Sequence, residues 1–392
     1  MNREAFLVGG VRTPNGRYGG SLREVPVVEL GGIAGRAAVE RAGIDAALVG
    51  ETIVSNCRQA GNGPNPGRQI SLKSGVGQRV PAQTVNMACA SGLKVLDLAR
   101  QAVAVGSADT VLAVSAESMS TMPFLAPSAL RWGGARRGDI TIYDGWRDGG
   151  TDPSCGMNMG QTAEKVAREF GVERGAQDEW SVRSHQCLAA AWDEGRFASQ
   201  VVPVETDEGS LATDEGLRRD STVEKLAGLK PSFEKDGTVT AGNASQMADG
   251  AAGIVVVSGD SLQRNGLTPR ARIRSFAQVG VDPTMMGIGP AYAIPAALDA
   301  AGLAPTDVDL FEINEAFGAQ IVQNVRALGL DEDVVNVNGG GIALGHPTGQ
   351  SGLRLVVTLL AELERRDLQL GVASLCVGGG MGVAAVIERV AA

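Results

Sequence analysis

Basic surplus, histidine and aromatic side chains are what this chain of 392 residues has least of. Acidic residues outnumber basic ones, 44 to 35, for a formal net charge of −9. That excludes a broad nucleic-acid-binding surface and leaves any polyanionic ligand to find a local cationic patch. Aromatic residues fill 4% of positions, too few platforms for stacking on single-stranded bases. No stretch approaches the ~18 uninterrupted apolar residues of a membrane span. The segment Met1–Gly10 lacks the long apolar run and cleavage box of a secretory signal. A cytoplasmic location is expected, with neither membrane nor nucleic acid as partner. Five cysteines (Cys57, Cys89, Cys155, Cys187, Cys376) are scattered with no Cys-x-x-Cys pair, so neither a zinc site nor a disulfide framework is indicated. With two histidines, His185 and His346, acid–base work by imidazole falls to one of them. The 54 glycines follow no Gly-X-Y period, and 44% hydrophobic content excludes disorder. The length predicts two or three domain-sized units.

What is present repeats itself. The helix-like Ala37-Ala38-Val39-Glu40-Arg41-Ala42-Gly43-Ile44 precedes a strand-like run from Glu51 to Asn56. Ala296-Ala297-Leu298-Asp299-Ala300-Ala301-Gly302-Leu303 likewise precedes Asp309 to Asn314. Ser91-Gly92-Leu93-Lys94 opens a helical pattern followed by the strand Asp109 to Val114, and Ser351-Gly352-Leu353-Arg354 opens another, followed by Val372 to Val377. The strand runs are continuously apolar, as in sheets covered on both faces. Two copies of one α/β unit are expected. Residues 119–247 have no counterpart in the second copy and read as an inserted lobe, with helices over Gly160–Phe170 and Gln177–Trp192. The first copy then resumes in the buried-strand run Gly250 to Val257. The expected boundaries are 1–118 with 248–268, 119–247, and 269–392.

Cys89 lies between an apolar strand and a helix start, where unpaired N–H groups and the helix dipole favour thiolate. The free-thiol pKa of about 8.5 makes such lowering useful to a nucleophile. A small core cysteine is the alternative reading. His346 sits in the glycine-dense run Asn338 to Gly349 at the equivalent junction of the second copy, so a pseudo-twofold would bring thiol and imidazole together. His185 falls off the stripe formed by Trp180, Cys187, Leu188, Ala191 and Trp192, and a solvated histidine is expected. Cys376 enters Gly378-Gly379-Gly380-Met381-Gly382. Gly380-x-Gly382-x-x-Ala385 formally matches a dinucleotide fingerprint. Too little chain follows for the rest of a nucleotide-binding unit, so that reading fails. The remaining reading is a second thiol in a turn whose bare N–H groups could hold an oxyanion. Asn314-Glu315-Ala316-Phe317 supplies an amide that donates without titrating, although Asn and Glu also cap helices.

Together, Val85–Leu93 around Cys89, Asn314-Glu315-Ala316-Phe317, Gly345-His346-Pro347 and Cys376-Val377-Gly378-Gly379-Gly380-Met381-Gly382 resemble the thiolase family. Val11-Arg12-Thr13-Pro14, Glu117-Ser118-Met119-Ser120 and Thr240-Ala241-Gly242-Asn243-Ala244-Ser245 extend the similarity over essentially the whole chain. The resemblance implies an α/β fold of five layers, αβαβα, built from two similar halves with a loop domain inserted in the first. It implies Claisen chemistry on acyl-CoA and 3-ketoacyl-CoA, coenzyme A as co-substrate, and no permanently bound cofactor or metal. A homodimer or homotetramer is expected, with the loop Pro127–Asp139 as an assembly contact.

By the same resemblance Cys89 is the acylated nucleophile, His346 helps activate it, and Cys376 is the acid/base at the α-carbon. One oxyanion hole is formed by His346 with a water held by Asn314, the other by the N–H groups of Cys89 and Gly378. Arg218 is expected at the adenine end of coenzyme A within a patch of Arg183, Arg219, Lys225 and Lys230, and Ser245 along the pantetheine arm. Met159, Phe233, Ala316 and Phe317 are expected to line the coenzyme A tunnel, and Met286 and Asn158 the acyl pocket. Two departures bear on acyl specificity. Asn158 stands where short-chain biosynthetic members often carry histidine, and Met-Ala-Cys-Ala replaces the commoner Val-Cys-Gly. A decarboxylating ketoacyl synthase on the same fold, or a non-catalytic acyl-CoA-binding protein, are the alternatives.

Overall fold

β-Branched and small apolar residues in unbroken runs build the strands of both halves in the computed structural model, which describes residues 3–134 and 137–390 apart from the side chain of residue 148. Arg136 of the expected assembly loop lies outside the described residues. The first half comprises β1 (Ala5–Arg12), β2 (Glu51–Ser55), β3 (Ala82–Val85), β4 (Thr110–Ser118) and β5 (Ala248–Ser258). Its helices are α1 (Val27–Ala42), α2 (Pro66–Lys73) and α3 (Ser91–Val105). Helices α4 (Met159–Phe170) and α5 (Arg174–Asp193) belong to the segment between β4 and β5. The second half comprises β6 (Ala271–Gly280), β7 (Leu310–Ile313), β8 (Leu370–Val377) and β9 (Met381–Arg389). Its helices are α6 (Gly289–Ala301), α7 (Gly318–Leu328) and α8 (Ser351–Arg365).

The strand order runs β3-β2-β4-β5-β1 and then β6-β9-β8-β7. A parallel bridge from Phe311 to Val335 occupies the position of β3 in the second half, so both halves share one topology. They are joined edge to edge by a short antiparallel contact, Phe6 with Arg272 and Leu7 with Ala271. The strand resuming after the insertion, β5, pairs antiparallel with both β1 and β4.

Period-two alternation divides the apolar side chains among separate cores. On β4, Val111 and Ala113 join Leu93, Leu96, Leu355 and Leu359 in the centre, while Leu112 and Val114 pack with Leu30, Ala34 and Ile70 of α1 and α2. On the second half, Ala373 and Ala385 face the same centre, and Val372 and Ala384 face Ala293, Ala297 and Ile321 of α6 and α7. Helices α3 and α8 are thus sandwiched between sheet halves that are themselves covered outside, which gives the five layers. Among the described residues no helix is long and apolar enough to cross a membrane.

Helix α5 corrects one expectation. His185 is buried, 4% exposed, because the helix is covered on a second face as well as its apolar stripe. The residues 214–218 lie on that side, and His185 Nδ1 accepts the backbone N–H of Arg218 at 3.1 Å. Burial, then the Arg218 charge, pushes its pKa down to about 4. An imidazole off the main stripe was read as solvated, but two-sided coverage makes it a neutral acceptor.

Candidate active site

A cavity of about 610 Å³ opens where the two halves and the inserted segment meet. Cys89, His346, Gly378, Asn158, Met159, Phe233, Ser245, Met286, Ala316 and Phe317 line it. Cys376 lies buried in the apolar cluster containing Met286, Ala316, Phe317 and Met159. Asn314 is fully buried and meets the His346 ring. Sequence positions 89, 314, 346 and 376 therefore converge on one cavity and the layer behind it.

The turn that carries Cys89 is built tightly. Ala88 adopts a left-handed conformation, φ 45°, at a cost of roughly 1–2 kcal/mol for an L-residue. Ser91 holds the turn: its hydroxyl accepts the Met87 N–H at 2.7 Å and donates to Ala88 O at 2.7 Å. The strain places Cys89 immediately before α3 and facing the cavity. The Gly378 N–H is directed at the Cys89 sulfur and stabilises its charged form, as does the Cys89 N–H. Burial nevertheless dominates, and the thiol pKa is raised rather than lowered. The helix-terminus reading gave the opposite sign, because it ignored the desolvation that only the assembled cavity imposes.

His346 is held at three points. Its backbone N–H donates to Gln246 O at 2.8 Å, its Nδ1 is 2.6 Å from Ser351 Oγ, and its Nε2 is 3.4 Å from Asn314 Nδ2. Ser351 Oγ also lies 3.1 Å from Pro347 O, which can only accept. The arrangement satisfying every partner has Nδ1–H donating to Ser351 and an Nε2 lone pair towards the Asn314 amide. Burial, then Arg354 and Arg58, pushes the imidazole down to about 3, so the ring is neutral at pH 7. Asn314 Oδ1 is buried with no partner among the described residues and is free to accept from an enclosed group. The Cys376 thiol pKa is raised by burial and then by Cys89, so it carries its proton at rest.

Glu117 was read from sequence only as part of a motif, without a role. Its carboxylate accepts Asn56 Nδ2 (2.6 Å), Cys57 N (3.1 Å) and Arg58 N (3.1 Å) from one half. From the other half it accepts Thr348 Oγ1 (2.9 Å) and Gly349 N (2.8 Å). It ties the histidine loop to the loop after β2. The available signal was a carboxylate ending a strand that is buried throughout. Glu315 does similar work behind the glycine run, accepting Trp180 Nε1 (3.0 Å), Ser184 Oγ (2.7 Å), Asn336 Nδ2 (2.9 Å) and Ile342 N (3.2 Å). Arg58, which also lines the cavity, was not singled out by the sequence.

The expected cationic patch is thinner than the sequence implied. Arg183 turns inward, its guanidinium donating to Glu332 O and, at 2.9 Å, to Val335 O, with its carbon 4.9 Å from the Trp180 ring centre. It serves packing and leaves the patch. Arg219 pairs with Asp193 and Lys225 with Asp220, each at 2.7 Å. Arg218 is exposed and lies outside the cavity lining, with Nη2 3.5 Å from Gln246 Oε1. Its neighbour Gln246 is on the wall beside Ser245.

The chain matches the thiolase N-terminal domain over residues 5–260 and the thiolase C-terminal domain over residues 267–389. An acetyl-CoA acetyltransferase of Cupriavidus necator is 46% identical over 395 aligned residues, covering 98% of this chain and 99% of that protein. One of Escherichia coli is 46% identical, covering 99% of each. Human mitochondrial 3-ketoacyl-CoA thiolase in complex with CoA superposes with a TM-score of 0.96 at 39% identity, over 99% of this chain and 98% of that one. Acetyl-CoA acetyltransferase of Bacillus anthracis gives 0.96 at 41% identity, over 99% of each. With matches to both domains running nearly end to end, this chain belongs to the thiolase family.

Proposed function

We infer that the protein is an acyltransferase catalysing reversible thiolytic cleavage of 3-ketoacyl-CoA, with Cys89 as the acyl carrier. The observation that carries the residue assignment is the shared cavity of Cys89 and His346, with the Gly378 N–H aimed at the sulfur and the Cys376 thiol buried behind it.

In the cleavage direction the Cys89 sulfur attacks C3 of the substrate while its proton passes to His346 Nε2. A raised thiol and a depressed imidazole disfavour a resting ion pair, so this proton moves as the carbon–sulfur bond forms. The tetrahedral oxyanion collapses, the C2–C3 bond breaks, and the electron pair on C2 takes the Cys376 proton, releasing acetyl-CoA. The thiol of a second coenzyme A gives its proton to the Cys376 thiolate and attacks the acyl thioester. Cys89 leaves and recovers its proton from His346. Both thiols and the imidazole end as they began, and the reverse sequence is Claisen condensation. The N–H groups of Cys89 and Gly378 serve one oxyanion, and His346 with a water held by Asn314 the other.

Residues 119–247 are read as the coenzyme A lobe inserted in the first half (1–118 with 248–268), with 269–392 as the second half. In this reading Arg218 receives the adenine end and Ser245 the pantetheine arm. Met159, Phe233, Ala316 and Phe317 flank the tunnel, with Met286 and Asn158 in the acyl pocket. Acyl-CoA and 3-ketoacyl-CoA are the substrates, and no resident cofactor is needed because the thioester itself acidifies the α-carbon. Five free thiols suit a reducing cytoplasm. A homodimer or homotetramer is supported by the exposed apolar side chains Phe124, Trp132, Ile140 and Ile142 on the inserted segment.

The test is incubation with acetoacetyl-CoA, with and without coenzyme A, followed by mass spectrometry. An acetyl adduct should form on Cys89 and vanish when coenzyme A is added. Cys89→Ser should carry none, and an adduct persisting in that variant overturns the nucleophile assignment.

A further inference from the structure

We propose that Arg58 makes the acyl end of the cavity selective for chains bearing a carboxylate, so that the preferred substrate is a 3-ketoacyl-CoA with an anionic terminus. This rests on the thiolase reading above and narrows it to a substrate class.

Among the described residues the charge lining the cavity is opposite in sign to that of the protein. The chain has a net charge of −9, yet among the described residues no Asp or Glu lines the cavity, while Arg58 and Arg147 do. Arg58 makes no ion pair with any described residue. Its backbone N–H is taken by Glu117, but its Nε is buried and meets no acceptor among the described residues. The guanidinium carbon lies over the Trp146 ring, 5.3 Å from its centre, a cation–π contact that holds the charge without neutralising it. Space for it is provided by Gly149, where a Cβ would fall 1.3 Å from Arg58 Nη1.

The position selects the acyl chain over the phosphates of coenzyme A. Arg58 follows Cys57, whose sulfur is 3.0 Å from Ala88 O, and Ala88 precedes the nucleophile. The guanidinium is close enough to favour the charged form of Cys89 and oppose that of His346. The phosphates are separated from the coenzyme A sulfur by the whole pantetheine arm, which in the reading above leads along Ser245. In thiolysis the part of the substrate beyond C2 becomes the acyl group on Cys89. In this proposal its far end passes the acyl pocket of Met286 and Asn158 and reaches the part of the lining that holds Arg58, Met122, Pro123 and Trp146. An alkyl chain there would leave a guanidinium desolvated and unpaired, whereas a carboxylate matches it as a two-point acceptor.

The test compares kcat/KM for thiolysis of 3-oxoadipyl-CoA, which ends in a carboxylate, with 3-oxohexanoyl-CoA, which ends in a methyl group. The native enzyme should favour the carboxylated chain by about tenfold or more, and Arg58→Gln should lower that ratio by about tenfold. Arg58→Lys should recover part of it. A native preference for the methyl-terminated chain, or cleavage of neither, overturns the proposal. So does an equal fall for both substrates in Arg58→Gln, which would make Arg58 a partner of the thiol instead. Should Arg58→Gln fail to fold by circular dichroism, the native ratio and the lysine variant decide. Acetoacetyl-CoA is the control: if the native enzyme does not cleave that substrate either, the thiolase reading itself has failed.

Discussion

Gly92 and Gly352 pack against each other's helix starts. A Cβ on Gly352 would lie 2.3 Å from Leu93 N, and one on Gly92 2.7 Å from Leu353 N. Both φ angles are ordinary, so space, not conformation, demands glycine. This contact brings the N-termini of α3 and α8 together, and with them the Cys89 turn and the His346 loop. In most helix interiors Gly→Ala is stabilising by about 0.5–1 kcal/mol. Here Gly352→Ala should destabilise by about 1–3 kcal/mol, the usual cost of overpacking, and lower kcat by separating thiol from imidazole. Urea unfolding beside steady-state thiolysis measures both, and an unchanged kcat would contradict the coupling.

Cys376→Ser should separate acylation from proton transfer. From acetyl-CoA the variant should still form the acetyl adduct on Cys89, because a coenzyme A thiolate is stable enough to leave without the Cys376 proton, whereas the electron pair at the α-carbon is not. Exchange of the α-protons of acetyl-CoA into deuterated water should slow by about 100-fold or more. Native exchange rates in the variant would move the acid/base role to another group.

The pH dependence of Cys89 alkylation tests its surroundings. Burial raises this thiol above its ordinary value, so the protonated form is the stable one through neutral pH. The rate of iodoacetamide reaction should climb steadily with pH and still be rising at pH 9, since only the thiolate reacts. A plateau reached near pH 7 would show a preformed thiolate and reverse the sign. His346, held near 3, should contribute no step between pH 5 and 8.

Glu117→Gln keeps the size of the side chain and removes its charge. A glutamine has one carbonyl oxygen for the five donors that converge there, and its own amide protons would face the N–H groups of Cys57 or Gly349. A loss of about 2–3 kcal/mol in stability is expected. Since Glu117 acts by positioning the histidine loop, kcat should fall more than KM rises. A proportionate change in KM alone would place Glu117 in substrate binding instead.

The elements themselves were legible. The strand expected between Asp309 and Asn314 runs Leu310–Ile313 and the helix expected over Gly160–Phe170 runs Met159–Phe170, because continuous apolar runs and glycine stops are local signals. The repeated Ser-Gly-Leu openings disclosed the two halves, and from that symmetry the meeting of Cys89 with His346. Glu117 and Arg58 were not legible in role, because a carboxylate at a strand end or an arginine after a cysteine acquires its meaning from partners distant in the chain. Arg183 and His185 failed for the same reason: their exposure depends on what other segments lay over α5.

By itself, then, the order of residues determined which groups could do chemistry, which segments would be strand or helix, and that one unit is used twice. These follow from side-chain type and from periods of a few residues. The folded chain alone decided that Cys89 is a raised thiol, that the His346 imidazole is neutral, and that the arginines face inward or outward into pairs. Proton affinity and pairing depend on desolvation and on charges brought within a few ångströms, and only the tertiary structure brings them there.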